Sequence, residues 1–209
     1  MSVEVIEITD PGCIWSWGSV EKLARLRASH DVSWRRVLGV PGPRPGGPEE
    51  QHANWVEVSA VTGAEIAPRL EYVSSSSLPE SLAARAAERQ GEQVAEAVLL
   101  RLREATFLEG RPADSRERIR EALATVDGLD LDRLLADLDA PAVYASVQAD
   151  RLETRRPPLD LIAAGVARPD GDDFRYPFPT LIINGRILAG WTAYEDYVAA
   201  LTLEAVAAT

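Results

Sequence analysis

The chain is predicted to be an α/β protein in which a βαβ unit and a ββα unit complete one sheet, with a large helical block inserted between them. Three observations lead there. The run Val3-Glu4-Val5-Ile6-Glu7-Ile8-Thr9 alternates as a strand does and passes through Asp10-Pro11-Gly12 into a segment of helical spacing. Between residues 49 and 165 no confident strand appears, and from Leu82 onward the segment carries helical periodicity and caps. Near the end, Asn184-Gly185 separates two short apolar runs, the strongest short-range hairpin signal.

Taken in order, Trp17, Val20, Leu23 and Ala24 give the first helix its apolar spacing, and Val32 to Leu38 reads as a second strand. The stretch Pro41-Gly42-Pro43-Arg44-Pro45-Gly46-Gly47-Pro48 can be neither helix nor central strand and marks a module boundary. Leu82 to Leu108 is helical in period, broken only mildly by Gly91, with Pro112 after its end. Asp114 and Glu117 have capping-box spacing ahead of a helix through Ile119, Leu123 and Val126, which Gly128 stops. Asp130 caps the next helix, through Leu134, Leu135 and Leu138, and Pro141 opens another that runs to about Thr154 before Pro157-Pro158. Strand character returns only at Thr180-Leu181-Ile182-Ile183, and Arg186-Ile187-Leu188-Ala189 comes back across the hairpin. Thr192 and Glu195 form a second capping box, and Tyr194, Tyr197, Val198 and Leu201 supply the last helix with an apolar face. The expected units are residues 1–40 for the first half of the sheet domain, 49–165 for the helical insertion and 175–209 for the second half.

A chain of 209 residues, 46% hydrophobic, can bury one substantial core. Its net charge of -11 argues against nucleic acid and anionic membranes as partners, since both want basic patches. No apolar run approaches the length of a membrane span, and the N-terminus enters a strand without the pattern of a signal peptide. A single cysteine excludes an internal disulfide, so a cytoplasmic location is expected. Lys22 is the only lysine among 22 basic residues.

That one cysteine, Cys13, sits after a strand and a tight turn, at the mouth of a helix. Free backbone N–H groups and the positive end of a helix dipole favour a sulfur anion at such a place. Ser16, three residues on, is placed to turn its hydroxyl toward the sulfur. Ser16 also stands where a Cys-x-x-Cys pair would keep its second thiol, so any redox cycle must finish with an external thiol. The alternative for Cys13 is an inert, buried cysteine that fills space.

The element order with the thiol after strand one resembles the thioredoxin fold as elaborated in the DsbA-like family. Three segments carry the resemblance. Asp10-Pro11-Gly12-Cys13-Ile14-Trp15-Ser16-Trp17 is similar to the Asp-Pro-x-Cys-x-Trp-Cys/Ser-Trp signature of cytoplasmic FrnE-type members. Ala86-Ala87-Glu88-Arg89-Gln90-Gly91 through Phe107-Leu108-Glu109-Gly110 corresponds to the family's inserted helices. Tyr176-Pro177-Phe178-Pro179-Thr180 corresponds to the segment carrying a cis-proline opposite the thiol, with Pro179 as the matching residue. Relatives of the same architecture with one Cys or Ser at the thiol position include kappa-class glutathione transferases and 2-hydroxychromene-2-carboxylate isomerases. Mycothiol-dependent reductases are a further resemblance.

The resemblance implies that Cys13 is the nucleophile, with Ser16 as its catalytic neighbour. Trp15 and Trp17 would wall the site, and the backbone at Phe178 and Pro179 would hold a bound thiol. Three functions follow as expectations. In the first, Cys13 works as a thiol-dependent oxidoreductase or transferase through a mixed disulfide that glutathione or mycothiol releases. In the second, a thiol-based isomerase adds reversibly to a conjugated small molecule, without net redox. In the third, the chain is a non-catalytic adaptor with an apolar patch at Trp15, Trp17 and Trp191. The partners are a small-molecule substrate or a low-molecular-weight thiol, and the choice between monomer and homodimer stays open. No metal is expected, because His30 and His52 with one cysteine make no site of ordinary spacing. Asp10 reads as a turn initiator, Ser74-Ser75-Ser76-Ser77 as a solvated lead-in to a helix, and Asp172-Asp173 as a polar turn.

Overall fold

The computed structural model describes residues 3–42 and 45–202. Pro43 and Arg44 of the predicted boundary segment, and the ends of the expected first and last units, lie outside the described residues. The first half comprises β1 (Val3–Thr9), α1 (Ile14–Trp17), α2 (Val20–Ser29) and β2 (Val32–Leu38). Helices α3 (Pro48–Thr62), α4 (Leu78–Glu88), α5 (Glu92–Phe107), α6 (Arg116–Leu123), α7 (Leu131–Asp137), α8 (Pro141–Thr154) and α9 (Leu159–Ala163) follow. A small hairpin, β3 (Arg168–Asp170) with β4 (Asp173–Arg175), precedes β5 (Thr180–Ile183), β6 (Arg186–Ala189) and α10 (Tyr194–Thr202).

The main sheet has the order β2-β1-β5-β6. β1 and β2 are parallel in unbroken register from Val3↔Val32 to Thr9↔Leu38, and β5 joins β1 antiparallel at Val5↔Ile183 through Ile8↔Thr180. The two halves therefore close one sheet through β1 and β5, as the thioredoxin fold requires. The hairpin forms at the predicted residues, with Asn184 and Gly185 at φ 51° and 75°. On one face of the sheet Val5, Leu181 and Ile183 pack with Leu23 and Leu26 of α2 and Tyr197 of α10. A separate core built on Val98, Leu102, Ile119, Leu123, Leu134 and Val143 holds the helical block together.

Several local expectations are corrected. The first helix is broken at Gly18-Ser19, leaving α1 as a single turn capped by Cys13. The Ser19 hydroxyl donates to the Trp15 carbonyl at 3.0 Å, and Gly18 lies so close to Thr62 that a Cβ there would fall 2.7 Å from its side chain. The break is what lets α1 pack on α3. Gly91 takes φ 115° and separates two helices where one mildly interrupted helix was expected. Ser115, not Asp114, caps α6, accepting from Arg118 N–H, while Asp114 pairs with the Arg118 guanidinium at 2.6 Å. That helix ends at Leu123, short of Val126. Thr192 donates to the Gly190 carbonyl at 3.2 Å, and α10 starts only at Tyr194. Helix α3 and the strands β3 and β4 were not expected, whereas the polar turn read at Asp172-Asp173 falls at the hairpin's turn, with Asp172 in it and Asp173 opening β4. Asp130 caps α7 as expected, accepting from Arg133 N–H at 3.0 Å.

The sheet meets the helical block through a buried charge. Glu7 occupies the middle of β1 on the same face as Val5 and is fully buried. Its carboxylate accepts from Arg27 at 2.9 Å, Arg36 at 3.2 Å and Trp34 Nε1 at 2.9 Å, and faces Arg103 of α5 at 3.7 Å. Glu96 of α5 closes the network by pairing with Arg27 and Arg36. Arg103 also donates to Thr9 Oγ1 at 2.7 Å, at the end of β1. A second tie runs from α8, where Asp150 accepts from the Leu38 N–H at 2.9 Å and pairs with Arg85 of α4.

Burial alone would raise the Glu7 pKa, but Arg36, Arg27, Arg103 and the Trp34 N–H outweigh it and hold it at about 2. The folded pKa lies below the ordinary 4.5, so the stability it confers is complete above that value and is lost as the pH falls toward about 2. A shift of this size corresponds to roughly 3 kcal/mol. Glu7→Gln is therefore expected to destabilise the protein by about 3–5 kcal/mol near neutrality, because the arginines lose their counter-charge. The variant should also lose much of the pH dependence between pH 5 and pH 2, which urea unfolding midpoints at stepped pH would measure.

Candidate functional site

Cys13 stands on the turn that leaves β1. Its N–H donates to the Asp10 carbonyl at 3.2 Å, and its own carbonyl accepts the Trp17 N–H at 3.0 Å, so the residue is both turn end and helix cap. Asp10 is fully buried and accepts from Ser77 at 2.5 Å, which ties this turn to the start of α4. Ser77 thus anchors the thiol turn, a role the reading of its serine run as a solvated lead-in did not include.

Opposite the thiol, the chain enters β5 through Phe178 and Pro179, and the peptide bond joining them is cis. Cys13 Sγ donates to the Phe178 carbonyl at 3.6 Å, a contact across 165 positions of sequence. The Phe178 ring lies over Gly39, just beyond β2, where an added Cβ would come within 2.1 Å of the ring. The Arg175 guanidinium covers the ring at 4.4 Å. Thiol, cis-proline segment and Gly39 thus meet where three strand ends converge.

The half-buried thiol opens into a cavity of about 630 Å³. Cys13, Ile14 and Trp15 form one side, Asn54 and Val61 of α3 a second, and Pro177, Phe178, Gly190 and Trp191 a third. Arg168, Pro169 and Arg175 from the β3–β4 hairpin complete the lining. Trp191 is 39% exposed, donates to the Gly18 carbonyl at 3.3 Å and carries Lys22 Nζ 3.8 Å above its ring. Lys22 also donates to the Thr192 carbonyl, and its partial burial lowers its pKa to about 8.

The expected site residues divide. Cys13, Trp15 and Phe178 share the cavity, and Pro179 lies buried directly behind Phe178. Trp17 does not wall the site. It stacks on Phe107 at 5.9 Å and donates its indole N–H to the Glu65 carbonyl at 2.8 Å, anchoring α1 to the helical block. Ser16 is buried and its hydroxyl has no hydrogen-bond partner, so it makes no bond to the Cys13 sulfur. Arg168, Arg175, Asn54 and Val61 were missed. The two arginines sit on strands of three residues, too short for an alternation to show, and the two α3 residues lie in a segment with no readable pattern.

The histidines stand apart from this cavity, with His52 Nε2 donating to the Ala67 carbonyl at 2.7 Å and His30 Nδ1 donating to the Leu26 carbonyl at 3.2 Å. Among the described residues no cluster of three or more His, Cys, Asp or Glu side chains could hold a metal ion, and no helix is long and apolar enough to cross a membrane.

Comparison with known proteins bears on the fold that carries this site. A family model described as thioredoxin matches residues 44–155. A curated relative, the ClpXP adapter protein SpxH of Shouchella clausii, is 26% identical over 179 residues, which are 82% of this chain. The matched region covers 59% of that protein, so the chain spans less than two thirds of its length. Among solved structures, the cytosolic disulfide reductase DsbM from Pseudomonas aeruginosa with GSH aligns at a TM-score of 0.65 and 19% identity, covering 95% of this chain and 93% of that one. A probable DsbA oxidoreductase from Streptomyces coelicolor aligns at 0.68 and 21% identity, covering 96% and 88%. At these identities the two structures establish a shared fold.

Gly39 offers a direct test of the site's packing. Gly39→Ala is expected to push the Phe178 ring outward, to cost about 1–3 kcal/mol, and to speed alkylation of Cys13 as the Phe178 carbonyl moves away from the sulfur. A thermal melt and an iodoacetamide rate on the same sample would read both effects.

Proposed function

This chain belongs to the thioredoxin family, and from that premise we propose that it is a thiol–disulfide oxidoreductase working through Cys13 alone and an external low-molecular-weight thiol. The observation that carries the reading is the placement of the chain's only cysteine: half-buried, facing the carbonyl before a cis-proline, and open to a cavity of small-molecule size. In the first step the Cys13 thiolate attacks a substrate disulfide, forming a mixed disulfide and releasing one substrate thiolate, which takes a proton from solvent. In the second, the thiolate of the small thiol attacks that mixed disulfide. Cys13 leaves as thiolate, and the substrate fragment leaves joined to the small thiol. The cycle as far as this exchanges one small thiol for one substrate thiol; a second small thiol attacking the released mixed disulfide completes the two-electron reduction, with no second protein sulfur needed.

Each neighbouring residue has a part in this cycle. Ser16 occupies the resolving position and has no thiol, so resolution passes to the external thiol. Trp15 and Trp191 shape the cavity, and the Phe178 carbonyl orients the sulfur before reaction. A reducing, cytoplasmic setting would keep the small thiol supplied, in keeping with the cytosolic reductase that shares the fold. Glutathione and mycothiol are the candidate thiols.

A second reading, a protein-binding adaptor, draws on the name of the curated relative and on the exposed edge of Trp191. Turnover separates the readings. Reduction of a small disulfide, coupled to conversion of the added small thiol into its own disulfide, is expected for the native chain and should fall to background in Cys13→Ser. Equal turnover by that variant would overturn the proposal. Cys13-dependent conversion of a conjugated substrate without thiol oxidation would point to the isomerase instead, and no turnover of either kind would favour the adaptor.

A further inference from the structure

The charge lining the thiol cavity is opposite to that of the chain. The protein carries a net charge of -11, yet the residues around the cavity include Arg168 and Arg175 and no aspartate or glutamate. The two arginines are direct cross-strand partners in the β3–β4 ladder, which puts both side chains on one face of the hairpin. Like charges placed directly opposite destabilise a ladder, and here the pair sits on strands of only three residues. The nearby carboxylate of Asp170 accepts from Gly42 N–H at 3.0 Å and from Arg155 at 2.8 Å, and its charge also acts on Arg175. Arg175 rests on the Phe178 ring and donates to the Tyr176 carbonyl at 2.9 Å, and Arg168 makes no ion pair among the described residues.

We propose that Arg168 and Arg175 form an anion-recognition site of the thiol cavity, and that the sulfur compound which meets Cys13 carries a carboxylate. This rests on the reading of Cys13 as the reactive thiol and deepens it. Guanidinium forks match the planar, two-oxygen geometry of a carboxylate. A bound anion would relieve the repulsion between the two strands, and the cavity volume suits a small molecule. The choice among small thiols and disulfides then falls on an acidic one and against an uncharged sugar thiol.

The test compares two chromogenic aromatic disulfides, dithiobis(nitrobenzoate), with one carboxylate on each ring, and the uncharged dithiodipyridine. Each reacts with Cys13 in a balanced exchange. The protein sulfur joins one half of the reagent, and the other half leaves as a coloured thiolate or its thione, so no other oxidant is required. Because the chain has one cysteine, the colour reports Cys13 alone. In the native protein the anionic reagent should be preferred at low salt, and added salt should reduce the preference. The ratio of the two rate constants should fall about tenfold in Arg168→Gln and further when Arg175→Gln is added, while Arg168→Lys restores part of it. An unchanged ratio in Arg168→Gln, with both reagents still reacting, would overturn the anion site and leave the thiol reading standing. Failure of both reagents to reach Cys13 in the folded protein would overturn both. A preference seen only with an acidic peptide disulfide would overturn the small-molecule occupant.

Discussion

The structure turns on one buried carboxylate. Glu7 lies on β1, an inner strand of the sheet, where a charge has no water, and it persists because three arginines from three different elements converge on it. Arg27 brings α2, Arg36 brings β2 and Arg103 brings α5, so a single side chain ties the sheet to its crossover helix and to the inserted block. Hydrophobic contact alone would let such layers slide. Hydrogen-bonded charges in a low-dielectric interior accept few arrangements, and removing one partner strands the others.

That fixed junction is what makes the site reproducible in space. The ends of β1 and β2 and the start of β5 converge within it, and each delivers one component. β1 runs through the Asp10 turn to Cys13, β2 runs to Gly39, and β5 begins at the cis-proline whose neighbour rests on that glycine. Arg103 holds Thr9, and Ser77 holds Asp10, so the helical block grips the last two residues before the turn. The helices inserted between β2 and β3 are thus supports for the thiol as well as the walls of its cavity. Trp17 shows the same division of labour, since it leaves the cavity to its neighbour Trp15 and locks α1 onto Phe107 and Glu65.

The parts legible in the sequence are those set by local chemistry. The strand of alternating residues at 3–9, the Asn184-Gly185 hairpin, the Asp130 cap and the thiol turn are dictated by neighbours along the chain, and they form where the pattern puts them. What the pattern hides depends on contacts distant in sequence. Nothing near Glu7 in the sequence shows what would pair its charge, and it proves to be buried against Arg27, Arg36 and Trp34. The apolar spacing from Trp17 to Ala24 runs across Gly18 without a break, and only the close approach of Thr62 shows why a glycine stands there. Arg168 and Arg175 become a pair only when two three-residue strands fold back on each other beside the thiol. A lone cysteine shows that a second protein thiol is missing, but only the cavity shows how much room an external one would have.

In the proposed mechanism Cys13 exchanges disulfides with a small external thiol and needs no partner within the chain. Intact mass tests it most directly, recorded after exposure to an oxidised small thiol such as oxidised glutathione and again after the reduced form is added. The account predicts gain of one thiol adduct at Cys13 and its complete removal by the reduced thiol. A protein that gains no adduct while Cys13 stays open to alkylation would contradict it.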